Sequence, residues 1–126
     1  MDSTRSVLIT GASTGLGLAT AHHLAGLGFR LTVTGRTAAT LDAATVELEA
    51  AGADVLGVVA DASEWADNER AVAAHVERHG SLDVVVANAG FAAGGNFVGG
   101  GPEQWRAMVL TNVLGPALLV KASVPI

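Results

Sequence analysis

The stretch Val7-Leu8-Ile9-Thr10-Gly11-Ala12-Ser13-Thr14-Gly15-Leu16-Gly17 constrains the folding of this chain more than any other. Its first four residues read as a short buried strand, its glycines as a tight turn, and the residues from Gly15 onward as a helix. Gly11 permits the turn, Gly15 lets backbone approach a bound pyrophosphate, and Gly17 allows close packing of helix on strand. The first N–H groups of such a helix have no helical partner and its dipole is positive there, which favours a phosphate over the turn. Ser13 and Thr14 add hydroxyl donors at the same place.

The alternation begun there continues along the chain. Arg5–Thr10 is expected as strand one, followed by a helix from Gly15 to about Gly28 with Leu16, Thr20, Leu24 and Leu27 inward. Phe29–Thr34 is strand two, and Thr37 caps a helix running to about Ala51 with Leu41, Ala44, Leu48 and Ala51 inward. Asp54–Ala60 is strand three. Ser63 caps a third helix, with Glu64 in its first turn, which carries Trp65, Val72 and Val76 on its buried side and ends at Gly80. Leu82–Asn88 is strand four, Phe91–Gly101 a glycine-rich loop, and Pro102 the opening of a last helix interrupted at Gly115-Pro116. Four β-α units without a linker or repeat predict one domain over residues 1–126. The expected class is α/β, a Rossmann-type doubly wound parallel sheet with right-handed crossovers and strand order 3-2-1-4. Ligands of such sheets bind beyond the carboxyl ends of the strands, at the switch point between strands one and four.

Composition removes several alternatives. Half of the residues are hydrophobic, by Ala, Val and Leu more than by aromatics, which suits a parallel sheet covered by helices. A net charge of −5 with scattered acids offers no basic face, so no nucleic-acid partner is expected. Without cysteine there is neither a disulfide framework nor thiolate chemistry. No apolar run reaches membrane-spanning length without a Gly, Pro or polar break, and no signal peptide is read, so a cytoplasmic protein without a membrane partner is expected. Adjacent His22 and His23 point in different directions. His75 and His79 stand one turn apart but lack the H-E-x-x-H order and a third ligand, so no metal site is expected and both are read as complementing the helix dipole.

Cofactor choice is written at the end of strand two, in Val33-Thr34-Gly35-Arg36-Thr37. A carboxylate there would accept hydrogen bonds from a ribose 2′-hydroxyl and repel a 2′-phosphate. Gly35 stands in its place, Arg36 offers a fork of donors suited to phosphate, and Thr37 adds a hydroxyl. The expected cofactor is NADP(H).

Thr10-Gly11 with Gly15 and Gly17 matches the T-G-x-x-x-G-x-G signature, and the chain resembles the classical short-chain dehydrogenase/reductase family. The resemblance implies a cofactor-binding set of Gly11, Ser13, Thr14, Gly15, Leu16 and Gly17 at the turn, with Arg36 and Thr37 at the ribose. Asp61 and Ala62 would neighbour the adenine. Asn88-Ala89-Gly90 is similar to the family's N-N-A-G motif, with Ala87 replacing the first Asn. Asn112 matches the asparagine of the Asn-Ser-Tyr-Lys catalytic set, whose main-chain carbonyl holds a water in the proton relay. Pro116 has no N–H, so the carbonyl of residue 112 loses its α-helical partner and needs another donor.

The tyrosine of that set is absent, since the sequence contains none. Lys121 and Ser123 fall in the helix before the strand that would carry the family's serine, and neither is assigned a catalytic role. The resemblance therefore covers all 126 residues but only the cofactor-binding half of a typical member. It implies an NADP(H)-dependent oxidoreductase acting on small carbonyl or alcohol substrates, with a homo-oligomer or a missing C-terminal segment completing it. The alternatives are a truncated dinucleotide-binding protein without turnover, or one half of a split enzyme.

Overall fold

The computed structural model describes residues 4–92 and 94–126. Four parallel strands form one sheet in the order β3-β2-β1-β4: β1 Ser6–Ile9, β2 Arg30–Gly35, β3 Val55–Val59 and β4 Val84–Val86. The expected fold class and strand order are both present. Leu8 of β1 lies opposite Thr32 of β2 and Val85 of β4, and Gly35 opposite Val59, so the carboxyl ends of β2 and β3 finish level.

Side chains of successive strand residues face opposite layers. Val7 and Ile9 join Leu31 and Val33 beneath α1 (Gly15–Gly26) and α2 (Ala38–Ala50), with Ala21, Leu41 and Leu48 reaching down from those helices. Leu8 joins Val58 on the other face, beneath α3 (Trp65–His79), with Ala71, Val72 and Leu119. Such double burial explains why β1, β3 and β4 carry consecutive apolar residues, whereas β2 alternates Leu31 and Val33 with Thr32 and Thr34.

The inner face of α1 differs from the expected one. Leu16 is 82% exposed and Leu27 64%, whereas Gly17 and Ala21 are buried and Leu18, Leu24 and Ala25 pack on the core. A helix that sits this close to the sheet buries its smallest residues, so large side chains misreport its inner face. Leu41, Ala44 and Leu48 are inward on α2 as expected, but Ala51 follows the last turn and is exposed. On α3 Val72 is buried, Val76 half-buried and Trp65, at the first turn, 37% exposed.

Ser63 is not the cap of α3. Glu64 occupies that position, while the Ser63 hydroxyl and N–H both donate to the Asp61 carboxylate, at 2.7 and 2.9 Å. Thr37 does precede α2 but makes no side-chain cap hydrogen bond. Gly80 ends α3 in the left-handed conformation (φ +86°), as its sequence position predicts.

The last helical segment is one rod in three parts: α4 (Pro102–Val109), a π turn (Leu110–Leu114) and α5 (Gly115–Ser123). The expected break at Gly115-Pro116 is instead a widening one turn earlier. The Gly115 N–H donates to the Leu110 carbonyl, five residues back, and Pro116, which has no N–H to give to that turn, follows as the second residue of α5. Gly115 is packed against α3's approach: a Cβ there would lie 2.9 Å from the Ala62 carbonyl oxygen.

His75 and His79 are buried rather than set against solvent at the helix end. The His75 ring bridges the Ser6 hydroxyl of β1 (2.9 Å) and the Thr32 hydroxyl of β2 (2.7 Å), and His79 Nε2 meets the Leu31 carbonyl at 2.8 Å. Strands β1 and β2 present hydroxyls to the α3 layer, and a histidine answers them. His22 is half-buried and paired with Glu47 of α2, and His23 is exposed.

Candidate functional site at the carboxyl edge of the sheet

The carboxyl ends of β1, β2 and β4 converge on one cleft of about 320 Å³. Its floor is the turn after β1. The Ala12 N–H donates to the Thr34 carbonyl (2.9 Å) and the Thr10 N–H to the Val86 carbonyl (3.1 Å), so the turn is tied to the strand on either side. Gly11 and Gly15 both adopt positive φ, +63° and +58°. A Cβ on Gly11 would meet Ala89 Cα at 2.7 Å, whereas one on Gly15 would meet only open space. Gly15 thus turns the chain and leaves its backbone uncovered at the helix start, a cradle open to an anion.

Gly17 lies underneath. A Cβ there would fall 2.3 Å from the Gly11 carbonyl oxygen and 2.5 Å from Asn88 Nδ2. Asn88 Nδ2 donates to that same Gly11 carbonyl at 3.0 Å, joining the β4 lip to the turn. Thr10 completes the joint: its buried hydroxyl accepts the N–H groups of Asn88 (3.2 Å) and Ala89 (3.1 Å). Thr10, in sequence only a letter of the signature, thus holds the β4 lip to the turn.

Of the residues singled out from sequence, Gly11, Ser13 and Thr14 line the cleft, as do Arg36, Thr37 and Ala62 and the whole of Asn88-Ala89-Gly90. Gly15 stands at the helix start, Leu16 points into solvent, and Gly17 is a packing residue. Asp61 is not in the lining. Its Oδ1 accepts from the Ser63 N–H and hydroxyl, and its own N–H donates to Asp67 at 2.7 Å. That hydrogen bond, with Arg70 beside it, holds the Asp67 carboxyl below the usual carboxylate range. Gly35, read from sequence as the place of the missing acid, also lines the cleft, and lining residues that the sequence did not announce are Thr34, Thr40, Ala60, Phe91 and Thr111. Thr40 is one helical turn beyond Thr37, a spacing that could have revealed it.

Arg36 is exposed, and among the described residues its guanidinium has no hydrogen-bond or ion-pair partner. Thr37 and Thr40 share its lip of the cleft.

Asn112 lies within the π turn and outside the cleft lining. Its side chain grips the loop after β4 at two points: Oδ1 accepts the Phe91 N–H (2.9 Å) and Nδ2 donates to the Phe91 carbonyl (2.6 Å). Gly90 leaves room for that grip, since a Cβ there would stand 2.9 Å from Asn112 Oδ1. With its amide so used, what Asn112 can offer chemistry is its main-chain carbonyl. Lys121 stands over the Trp65 ring at 5.9 Å, away from the cleft.

The chain matches the short chain dehydrogenase family over residues 5–126. It is 39% identical over 114 residues, 90% of its length, to a Streptomyces violaceoruber protein whose name assigns it to ketoacyl reduction in a granaticin polyketide synthase. A Burkholderia phymatum short chain dehydrogenase/reductase solved with NAD superposes at a TM-score of 0.93, with 33% identity over 98% of this chain. An actinorhodin polyketide ketoreductase variant solved with NADPH also superposes at 0.93, with 36% identity over 96%. The chain spans 42% of the length of the first of these proteins, 44% of the second and 46% of the third. Glycine turn, switch-point cleft and sequence similarity agree, and the chain belongs to the short-chain dehydrogenase/reductase family of oxidoreductases.

Proposed function

We propose that the chain supplies the NADP(H)-binding part of an oxidoreductase that interconverts carbonyl and alcohol substrates. The observation that carries the cofactor choice is the lip at the end of β2, where a glycine replaces the ribose-binding acid and the next residue is an unpaired arginine. Both differences favour a 2′-phosphate over a 2′-hydroxyl. Structural relatives were solved with NAD and with NADPH, so the choice in this chain rests on Gly35 and Arg36 themselves.

NADP(H), when bound, gives or takes the hydride. The residues of this chain hold and orient it. The turn from Gly11 to Gly15 presents backbone N–H groups to the pyrophosphate, Arg36 with Thr37 and Thr40 holds the 2′-phosphate, and Asn88 and Thr10 keep the β4 lip at a fixed distance. Asn112 anchors the loop at Phe91 and keeps its own carbonyl within the π turn, where it serves to hold a water of the proton relay. The sequence holds no tyrosine to donate the proton. That fact favours a second reading, in which these 126 residues bind dinucleotide without turning it over, alone or as one half of a split enzyme.

Calorimetry separates these statements. NADPH is expected to bind at least tenfold tighter than NADH. Arg36→Ala is expected to weaken NADPH roughly 10- to 100-fold, the worth of charge-assisted hydrogen bonds, while leaving NADH within a few-fold. Equal affinity for the two cofactors in the unmodified protein overturns the assignment. The 126-residue chain with NADPH and a panel of ketones is expected to show no turnover; NADPH oxidation matched by alcohol formation would contradict that.

A further inference from the structure

Gly35 is a buried residue of β2, paired with Val59 and accepting the Ala60 N–H at 3.0 Å. Its φ is not positive, so its backbone does not require glycine. Glycine in a strand weakens it, and one that the backbone does not need marks a close approach by something else. Here the approaching group is Ser13. A Cβ on residue 35 would lie 2.9 Å from Ser13 Oγ and 3.1 Å from Ser13 Cβ, and 3.7 Å from Leu41 Cβ. Ser13 comes from the turn after β1, which the Ala12–Thr34 hydrogen bond fastens to β2 one residue before Gly35. A side chain at position 35 would have to turn the Ser13 hydroxyl aside and press the Ser13 Cβ back against that tie.

We propose that Ser13 helps select the cofactor by crowding position 35 against a side chain, so that Ser13, on the turn after β1, and Gly35, at the end of β2, act as a single selectivity element. Position 35 is where an acid would grip an unphosphorylated ribose. With Ser13 in place that acid is crowded, and Arg36 is the charged residue that follows β2. This rests on the NADP(H) reading above. Its consequence is distinct: a Gly35→Asp substitution alone does not convert the site to NADH, and the conversion requires Ser13 to be cut back as well.

A double-mutant cycle over Ser13→Gly and Gly35→Asp tests it, read by melting temperature and by calorimetric binding of NADPH and NADH. Gly35→Asp alone is expected to melt roughly 5–10 °C lower, as overpacking does, without gaining NADH affinity. The double variant is expected to recover most of that loss and to bind NADH at least tenfold tighter than either single variant. A parallel cycle with Gly35→Ala, which adds only the Cβ, keeps the test valid if Gly35→Asp does not fold, since its coupling with Ser13→Gly is steric alone. Additive melting shifts in the Ala cycle, or a Gly35→Asp variant that binds NADH as tightly as the double, overturns the proposal. The cofactor reading is judged separately, by the NADPH-over-NADH ratio of the unmodified protein, and the steric coupling is measured without any cofactor.

Discussion

His75 shows how one residue couples layers. Its ring is fully buried, and the Ser6 hydroxyl that it meets donates onward to the Ser81 carbonyl at 2.5 Å. Ser6 Oγ therefore accepts from His75 Nε2–H, which leaves Nδ1 to accept from the Thr32 hydroxyl. The neutral ring satisfies every group; a second proton would leave two hydrogens facing between Nδ1 and Thr32. Burial, together with the nearby His79 ring and Arg30, pushes its pKa down to about 4, against the opposing pull of the Ser81 carbonyl and Asp83. The unfolded chain binds that proton from pH 6.5 downward while the folded chain refuses it until about 4. Stability is therefore full above pH 6.5 and falls as the pH drops toward 4, by about 3 kcal/mol over that window. Urea midpoints at pH 7, 5.5 and 4.5 are expected to fall more steeply for the native protein than for His75→Gln, which keeps a donor and an acceptor but does not titrate. Coincident profiles would remove His75 from the acid response.

At the scale of elements, the seating of α1 on β1 decides whether the cleft exists. Gly17 is the point of contact, with the Gly11 carbonyl and the Asn88 amide in the space a Cβ would need. Gly17→Ala is expected to cost about 1–3 kcal/mol and to weaken NADPH binding, because relief of the clash moves the carbonyl that holds the β4 lip. Leu16→Ala, one residue away on the solvent side, is expected to stay within about 0.5 kcal/mol in the same denaturation experiment. The π turn is the other element-scale device. Proline at 116 implies that the carbonyl at 112 lacks its α-helical partner, but not how the helix responds. The response, an extra residue in the turn from Leu110 to Leu114, sets Thr111 into the cleft wall and Asn112 against Phe91.

For the whole molecule the open question of physics is its edges. Among the described residues β4 is the sheet's outer strand on one side, and its three valines are only half-buried although they read as an interior run. Val109, Val113, Val120 and Val124 stand exposed along the rod from α4 to α5. Unpaired edges and apolar surface of this kind recruit other chains. The chain is expected to self-associate, with a weight-average sedimentation coefficient that rises with concentration. Val113→Lys with Val120→Lys is expected to lower it, and a monodisperse monomer at all concentrations would count against the expectation. No helix among the described residues is long and apolar enough to cross a membrane.

Element order, strand order, the glycine turn and the cationic lip at Arg36 were determined by sequence alone, because each follows from local chemistry: periodicity, φ preference, and a charge where an acid would otherwise stand. Packing that depends on what arrives from elsewhere in the chain was decided only in three dimensions. Leu16 and Leu27 read as core yet face solvent, because the face that α1 turns to the sheet is that of Gly17 and Ala21, flanked by Leu18, Leu24 and Ala25. His75 reads as a surface base yet is buried, because hydroxyls 43 and 69 residues away meet its ring. Gly35 reads as a missing acid, and the Ser13 side chain from the turn after β1 packs against it. In each case the deciding neighbour is distant in sequence, and a single chain read in order carries no record of which distant residues will touch.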